Sequence, residues 1–599
     1  MSVLSKKTGL RVTLLSVLFG VLGQTPLWAL EYAVDTGAPE KSSGITLAVS
    51  KQAKRYLSVT ANPLATQAAD KMLKKGGSAV DAAIAAQLVL GLVEPQSSGI
   101  AGGAFLLSFD GKALRYYDGR EVAPAAVKPD LFQTVSNGKK IELPFYEAVI
   151  GGRSVGVPNV LSMLAVAHQR EGKLPWATLF QPAIALAKQG FAISPRLHTL
   201  IQADAYLAKD DAARAYFYEA DGKTAKAVGT LLVNPDYARV LTRISKEGVS
   251  AFYEGDIADA IVAKVQNHPT NPGYLSKEDM LKYRTYPKIR EAVCGSYRGH
   301  QVCGAGAPSS GGIAVIQTLK QLERFPLSDF KPDSAEAIHL IAESERLAFA
   351  DRGKYLGDPD FVAVPTQGLI APSYLAARSA LIDENKSMVT APAGLPQGAN
   401  QAWVEGLSPE LTSTSHMVIV DAKGRAISMT TTIEDGFGSR QMVRGFLLNN
   451  QLTDFDFAPN TQDGTWVANR VEPLKRPRSS MSPTMVFDEK GNLKIIVGSP
   501  GGSRIIGYVT QTLVNLIDWQ MSAQEAVNYP HYGSRNGAKT DIEKGSTLLK
   551  NEAMLTKLKS MGHEINEVEM TSGTSLIVKT ASGYVGAADN RREGTALGK

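Results

Sequence analysis

The sequence predicts an α+β fold in which helices and strands are segregated into layers. Three observations carry this. Apolar residues recur every three or four positions through several stretches of residues 62–355. Three strand–turn–strand patterns follow within residues 415–589. A stretch rich in Pro, Gly and Ala, residues 386–413, separates the two regimes and reads as a loop or linker.

The helical elements come first. "NPLATQAADKMLKKGG" (62–77) reads as a helix closed by Gly76 and Gly77, with Ser78 placed to cap the next one. "AVDAAIAAQLVLGLV" (79–93) carries Asp81 and Gln87 and reads as a buried helix rather than a membrane span. "SPRLHTLIQADAYLA", "PDYARVLTRISKEG" and "DSAEAIHLIAESERLAFADRGKYL" continue the pattern. His339 and Glu343 share a face of the last of these and read as a packed or solvated pair, not as metal ligands. In the second half, "HMVIVDAKGRAISMTTT", "TMVFDEKGNLKIIVGS" and "SLIVKTASGYVGAAD" each read as two strands around a turn, together forming an antiparallel sheet. "IIGYVTQTLVNLIDW" and "LLKNEAMLTKLKSMG" are helices set between them.

Bulk properties exclude several function classes. The chain has 599 residues, 44% hydrophobic and 20% charged, which is ordinary for a globular protein. Its net charge of +6 comes from 64 basic and 58 acidic residues interspersed along the chain, so no basic tract marks a nucleic-acid partner. Lys6, Lys7 and Arg11 precede an apolar run at 12–22, and Ala29 suits a cleavage site, so residues 1–29 read as a signal peptide. With no other span-length apolar run, the mature chain is expected to be exported, periplasmic or secreted, without a stable membrane anchor. Cys294 and Cys303 flank the turn "GSYRG" and are a disulfide candidate, which an exported protein permits. No histidine pair has ligand spacing near them and no HExxH occurs, so neither a metal nor a cofactor is expected.

Two hydroxyl-bearing stretches compete as sites of chemistry. "GRSVG" (152–156) matches a nucleophile-elbow pattern at Ser154, but Val157-Pro158 directly after it favours a loop over the strand-to-helix turn that chemistry needs. The cluster Thr412, Ser413, Thr414 and Ser415 stands between a loop that tolerates a cut and a strand that would hold a new terminus rigidly. A threonine hydroxyl needs a base. The α-amine of an N-terminal threonine would titrate near about 7.7–8.0, close to working pH. Taken alone, the cluster reads better as a polar loop before an ordinary strand. Further on, "GSPGGSRI" supplies paired glycines whose N–H groups suit an oxyanion. "LLNNQLTDF" supplies a carboxamide and a carboxylate suited to an ammonium, and Arg120 in "YDGREVAP" suits a carboxylate. Together these describe a zwitterionic amino-acid site beside an acyl-transfer centre.

From "GGSAVDAAIAAQLVLGLVEPQSSGIAGGAF" through "PSSGG", "FADRGKYLGDPDF", "TSHMVIVD", "NNQLTDF", "KRPRSSMSPT" and "GSPGGSRI", the chain resembles the γ-glutamyltransferase (γ-glutamyltranspeptidase) family of N-terminal-nucleophile hydrolases. The resemblance implies a four-layer αββα sandwich with two stacked, mainly antiparallel sheets. It also implies a precursor that cuts itself between Ser413 and Thr414, leaving a large subunit (30–413) and a small one (414–599) intertwined in one structural domain. The implied reaction moves a γ-glutamyl group from glutathione or a similar donor to water or an amino-acid or peptide acceptor. Carried over by residue, Thr414 is the nucleophile, Thr432 its hydrogen-bonding neighbour, and Gly501 and Gly502 the oxyanion hole. Arg120, Ser479 and Ser480 hold the donor carboxylate, and Gln451 and Asp454 its amine. Glu434 stands where many members have Asn near that amine. It can accept from an ammonium, or mark the glutaryl-type acylases of the same family, whose substrates lack the amine. Residues 455–478, which can form a lid in the family, are shorter than in some members. A reading of another class is an exported amino-acid-binding protein without chemistry.

Overall fold

The computed structural model describes residues 41–406, 408 and 413–599. The expected signal peptide, and Thr412 of the hydroxyl cluster, lie outside the described residues.

Two seven-stranded sheets form the centre, and every pairing within them is antiparallel. One runs Lys51–Ala53, Gly583–Ala588, Ser575–Thr580, Leu493–Gly498, Thr484–Phe487, His300–Gly304, Val293–Tyr297. The other runs Thr595–Gly598, Leu57–Thr60, Ser415–Val420, Ala426–Thr432, Gly103–Phe109, Leu114–Gly119, Lys288–Arg290. All three expected hairpins are present. They do not share one sheet, however: the 415–432 hairpin belongs to the second sheet and the other two to the first. Turn chemistry fixes each hairpin locally, whereas its sheet is chosen by long-range partners such as Leu57–Thr60 and Gly103–Phe109, which local periodicity does not reveal.

Strand alternation sorts the layers. In the second sheet Met417, Ile419, Ile427, Met429 and Leu106 pack outward among Pro63–Lys74, Ala79–Val93 and Val160–Glu171. Val418, Val420, Phe105 and Leu107 point the other way and share a core with Met485, Ile496 and Leu576 of the first sheet. Gly311–Leu322, Ala335–Tyr355 and Ile505–Ile517 extend that core beyond the first sheet. Helix, sheet, sheet and helix thus stack as the αββα sandwich of N-terminal-nucleophile hydrolases. The Ser415–Val420 strand, covered on both faces, is buried at all six positions and is apolar from Met417 to Val420.

Between Pro372–Ser379 and Ser415–Val420 no helix or strand forms among the described residues, as the composition of 386–413 predicts. Cys294 and Cys303 face each other across the Val293–Tyr297/His300–Gly304 hairpin and are joined by a disulfide. Among the described residues no helix is long and apolar enough to cross a membrane.

Candidate active site

Thr414 sits directly before the Ser415–Val420 strand. Its antiparallel neighbour pairs Thr431 with Ser415, which brings Thr432 level with Thr414 at the end of the sheet. Thr432 is also opposite Gly103, and that glycine matters: a Cβ there would come within 2.1 Å of a Glu121 carboxylate oxygen. The two threonine hydroxyls are 3.4 Å apart. The Thr414 hydroxyl is hydrogen-bonded to the Ser413 carbonyl oxygen, which also accepts from the Thr432 hydroxyl at 3.1 Å. Thr432 is itself held by the Glu434 N–H at 2.8 Å. The hydroxyl of Thr414 and a donor to the carbonyl oxygen therefore converge on the Ser413–Thr414 peptide bond. The Ser413 hydroxyl donates to the Gln96 carbonyl at 2.6 Å, and Arg592 Nη1 donates to the Thr414 carbonyl at 2.9 Å, so the backbone is fixed on both sides of that bond.

One small cavity is lined by Arg120, Ser413, Thr414, Thr432, Glu434, Gln451, Asp454, Ser479, Ser480 and Gly502, together with Met481 and Ile505. Of the residues expected at the site, Gly501 alone falls outside this lining. Gly501 (φ 135°) and Gly502 (φ 57°) occupy backbone conformations that favour glycine. Neither of their amide N–H groups donates to an acceptor among the described residues. Amides without an acceptor suit a developing oxyanion, and Gly502 lines the cavity together with Thr414.

The groups expected to grip opposite ends of a zwitterion are joined to each other instead. Arg120 Nη2 is hydrogen-bonded to Asp454 Oδ2, and Gln451 Nε2 donates to the same oxygen at 2.8 Å. Two opposite charges buried side by side neutralise one another. The rest of the Arg120 guanidinium is held by the Pro477 carbonyl at 3.1 Å and the Arg478 carbonyl at 2.7 Å. Ser480 accepts from Arg352 Nη2 at 2.8 Å, and Ser479 accepts from the Met481 N–H at 3.1 Å. Glu434 has φ 83°, a left-handed conformation costly for a residue with a Cβ, at the turn that carries Thr432 into the site. Its carboxyl is held by the Asn450 carboxamide and by the Thr453 hydroxyl at 3.4 Å. Burial, then the Asp454 and Asp435 carboxylates, push Glu434 well above the usual carboxylate range.

Sequence reasoning missed Gln96, Arg592, Asn450 and Arg352 as partners of these groups. Asn450 lies inside the "LLNNQLTDF" stretch already singled out. Gln96 and Arg592 act on residues 317 and 178 positions away, a distance no spacing pattern encodes. The alternative nucleophile is disposed of directly: Ser154 is buried and its hydroxyl donates to the Val149 carbonyl at 2.6 Å, with no helix starting until Val160–Glu171.

Comparison with known proteins accords with this geometry. The Gamma-glutamyltranspeptidase family model matches residues 65–599. A glutathione hydrolase proenzyme of Bacillus subtilis (strain 168) is 38% identical over 553 residues, covering 90% of this chain and 90% of that one. The Acylase ACY 1 proenzyme of Pseudomonas sp. (strain SE83) is 33% identical over 557 residues, covering 91% and 93%. Among solved structures, the cephalosporin acylase from Bacillus halodurans superposes with a TM-score of 0.77 at 24% identity over 97% of this chain and 99% of that one, a likeness of fold. The chain belongs to the γ-glutamyltranspeptidase family.

Proposed function

We propose that this chain is an exported, self-processing γ-glutamyltransferase and glutathione hydrolase. The observation that carries the reading is the Thr414 hydroxyl set against the Ser413 carbonyl, with Thr432 donating to the same oxygen. In processing, Thr414 Oγ1 attacks the Ser413 carbonyl carbon and the Thr432 hydroxyl stabilises the oxygen that gains charge. The C–N bond breaks, the nitrogen takes a proton, and an ester remains. That step frees the α-amine of Thr414; water then hydrolyses the ester, releasing the carboxylate of Ser413 and restoring the Thr414 hydroxyl. Large (30–413) and small (414–599) subunits then stay together as a heterodimer, because their strands alternate within both sheets.

In turnover the new α-amine takes the Thr414 hydroxyl proton, and the alkoxide attacks the donor's γ-carbonyl. The Gly501 and Gly502 amides receive the oxyanion. The amine leaves with the proton, and water or an amino-acid or peptide acceptor cleaves the γ-glutamyl ester. For donor binding, Arg120 turns from Asp454 to the α-carboxylate with Ser479 and Ser480. Asp454, Gln451 and Glu434 take the ammonium. Glutathione fits as donor, and the relatives named glutathione hydrolase proenzyme support it.

The test is mass spectrometry and N-terminal sequencing of purified protein. The expected result is two chains, the smaller starting at Thr414; a single uncut chain with full activity would refute the proposal. A second reading, a glutaryl-type acylase, is favoured by the likeness to the Pseudomonas acylase. Two carboxyl groups around the amine end of the pocket, Glu434 and Asp454, support the ammonium-bearing donor instead. Faster cleavage of a glutaryl anilide than of a γ-glutamyl anilide would reverse that ranking.

A further inference from the structure

We propose that Tyr508, locked in place by His531, is the positioning residue that holds the Gly501–Gly502 turn in its oxyanion-binding conformation. The inference rests on the acyl-transfer reading above, in which those two amides stabilise the γ-carbonyl oxygen.

The turn is held locally through its carbonyls and not through its amides. Two consecutive glycines with positive φ have many other conformations open to them; the Gly501 carbonyl accepts from the Arg504 N–H at 3.2 Å and the Gly502 carbonyl from the Ile505 N–H. What fixes Gly501 is a ring. A Cβ built on Gly501 would lie 2.5 Å from Tyr508 Cε2 and 3.1 Å from Cδ2, so the aromatic ring rests directly on that α-carbon. Tyr508 stands on the first turn of the Ile505–Ile517 helix, which begins where the glycine turn ends. The tyrosine hydroxyl makes no hydrogen bond among the described residues, so the ring's contact area is what Tyr508 contributes here.

The ring is in turn held by His531, whose centroid is 4.3 Å from that of Tyr508. Both imidazole nitrogens are engaged. Nδ1 is 2.8 Å from Gln511 Oε1, and Nε2 is 2.7 Å from the Ser572 hydroxyl. Gln511 lies one turn beyond Tyr508 on the same helix and donates through Nε2 to the Pro530 carbonyl at 2.9 Å. Ser572 is hydrogen-bonded to Asp589, which also accepts from Arg591 Nη1 at 3.0 Å. The next residue, Arg592, donates to the Thr414 carbonyl at 2.9 Å. One buried network rooted in residues 589–592 thus supports both the nucleophile's backbone and, through His531 and Tyr508, the amides that face it. Catalysis by such amides depends on their being fixed before charge develops.

The test uses full-length, processed enzyme and whichever anilide donor, γ-glutamyl or glutaryl, the wild type turns over. Tyr508→Leu removes the ring and is expected to lower kcat about tenfold or more, with KM within about twofold. Tyr508→Phe is expected to restore kcat to within about twofold of wild type. His531→Gln is expected to fall between them. Self-cleavage is expected to stay complete in all three, because the Ser413 carbonyl is served by Thr432. Undiminished kcat per folded molecule in Tyr508→Leu would overturn the proposal, as would a Tyr508→Phe enzyme as slow as Tyr508→Leu. If Tyr508→Leu does not accumulate folded, His531→Gln decides: unchanged kcat refutes, lowered kcat at constant KM supports. A wild type that turns over neither donor refutes the acyl-transfer reading itself. An active wild type with an indifferent Tyr508 refutes only the positioning role.

Discussion

Two buried polar clusters in this molecule look alike in composition and differ in how completely they are satisfied. On the Ala335–Tyr355 helix, His339 and Glu343 meet His563, with ligand atoms close enough together to invite a metal reading. Every one of those atoms is already engaged. His339 Nε2 faces the Asp383 carbonyl at 2.7 Å and must donate to it, so Nδ1 accepts from His563 Nε2 at 2.7 Å. His563 Nδ1 then accepts from the Thr540 hydroxyl at 2.7 Å, which accepts from Arg346 Nη2 at 2.8 Å. Glu343 is neutralised by Arg346 at 2.9 Å and bonded to Ser387 and the Met388 N–H. That cluster has nothing left to offer a ligand. The Thr414 cavity has a Gly502 amide without an acceptor among the described residues, a carboxyl pushed toward its neutral form, and a cation–anion pair whose members both face the same small space. Buried polar groups that are fully partnered specify a fold, whereas those left over point to a substrate.

The comparison breaks first at Thr414. Thr414→Ala is expected to leave an uncut precursor and lower turnover by at least about a thousandfold, read by gel and by anilide hydrolysis. Normal cleavage in that variant would move the chemistry elsewhere. Arg120→Ala is expected next, with kcat/KM for the γ-glutamyl donor down roughly a hundredfold. Part of that loss comes from leaving Asp454 buried without its cation. A loss confined to thermal stability, with kinetics intact, would place Arg120 with the structural cluster instead.

Glu434 sharpens the contrast through pH. Its carboxyl is held toward the neutral form in the free enzyme, and a donor ammonium favours the charged form, so binding expels a proton. The KM for a γ-glutamyl donor is therefore expected to fall as pH rises, until the donor amine itself loses its charge. In Glu434→Gln this slope is expected to vanish while kcat changes little. A wild-type KM flat across the same range would show that Glu434 carries no such proton.

Much of this was readable beforehand, for identifiable reasons. Hairpins announce themselves through period-two alternation around short turns such as Lys423-Gly424, whereas Thr414 was singled out from its hydroxyl neighbours only by the family resemblance. Helix boundaries follow from caps: Ser78 does cap Ala79–Val93, with Asp81 completing a capping box. What stayed hidden depends on contacts between distant segments. Gly103–Phe109 and Leu114–Gly119 lie in the helix-rich half, yet both sit in the sheet that carries Thr414. The contact of Arg120 with Asp454 spans 334 positions, and the two residues were legible only as separate grips on a zwitterion.

The smallest expected effect lies in the structural cluster and separates it from the site. Burial, then the neighbouring His339, holds His563 down to about 4, against about 6.5 in an unfolded chain. Between those values the unfolded state binds the extra proton and the fold does not, so stability is fully present above about 6.5 and is lost as pH falls toward 4. His416, buried within the Ser415–Val420 strand and held down to about 3 by that burial, adds to the same acid limb. His563→Gln is expected to flatten part of that limb in a melting-temperature profile and to cost about 1–3 kcal/mol at neutral pH, where His339 loses its donor and Thr540 its acceptor. The donor's kcat and KM per folded molecule are expected to stay as in wild type. A change in the KM profile of His563→Gln matching that of Glu434→Gln would mean the two clusters are coupled, and the division between a satisfied cluster and a reactive one would fail.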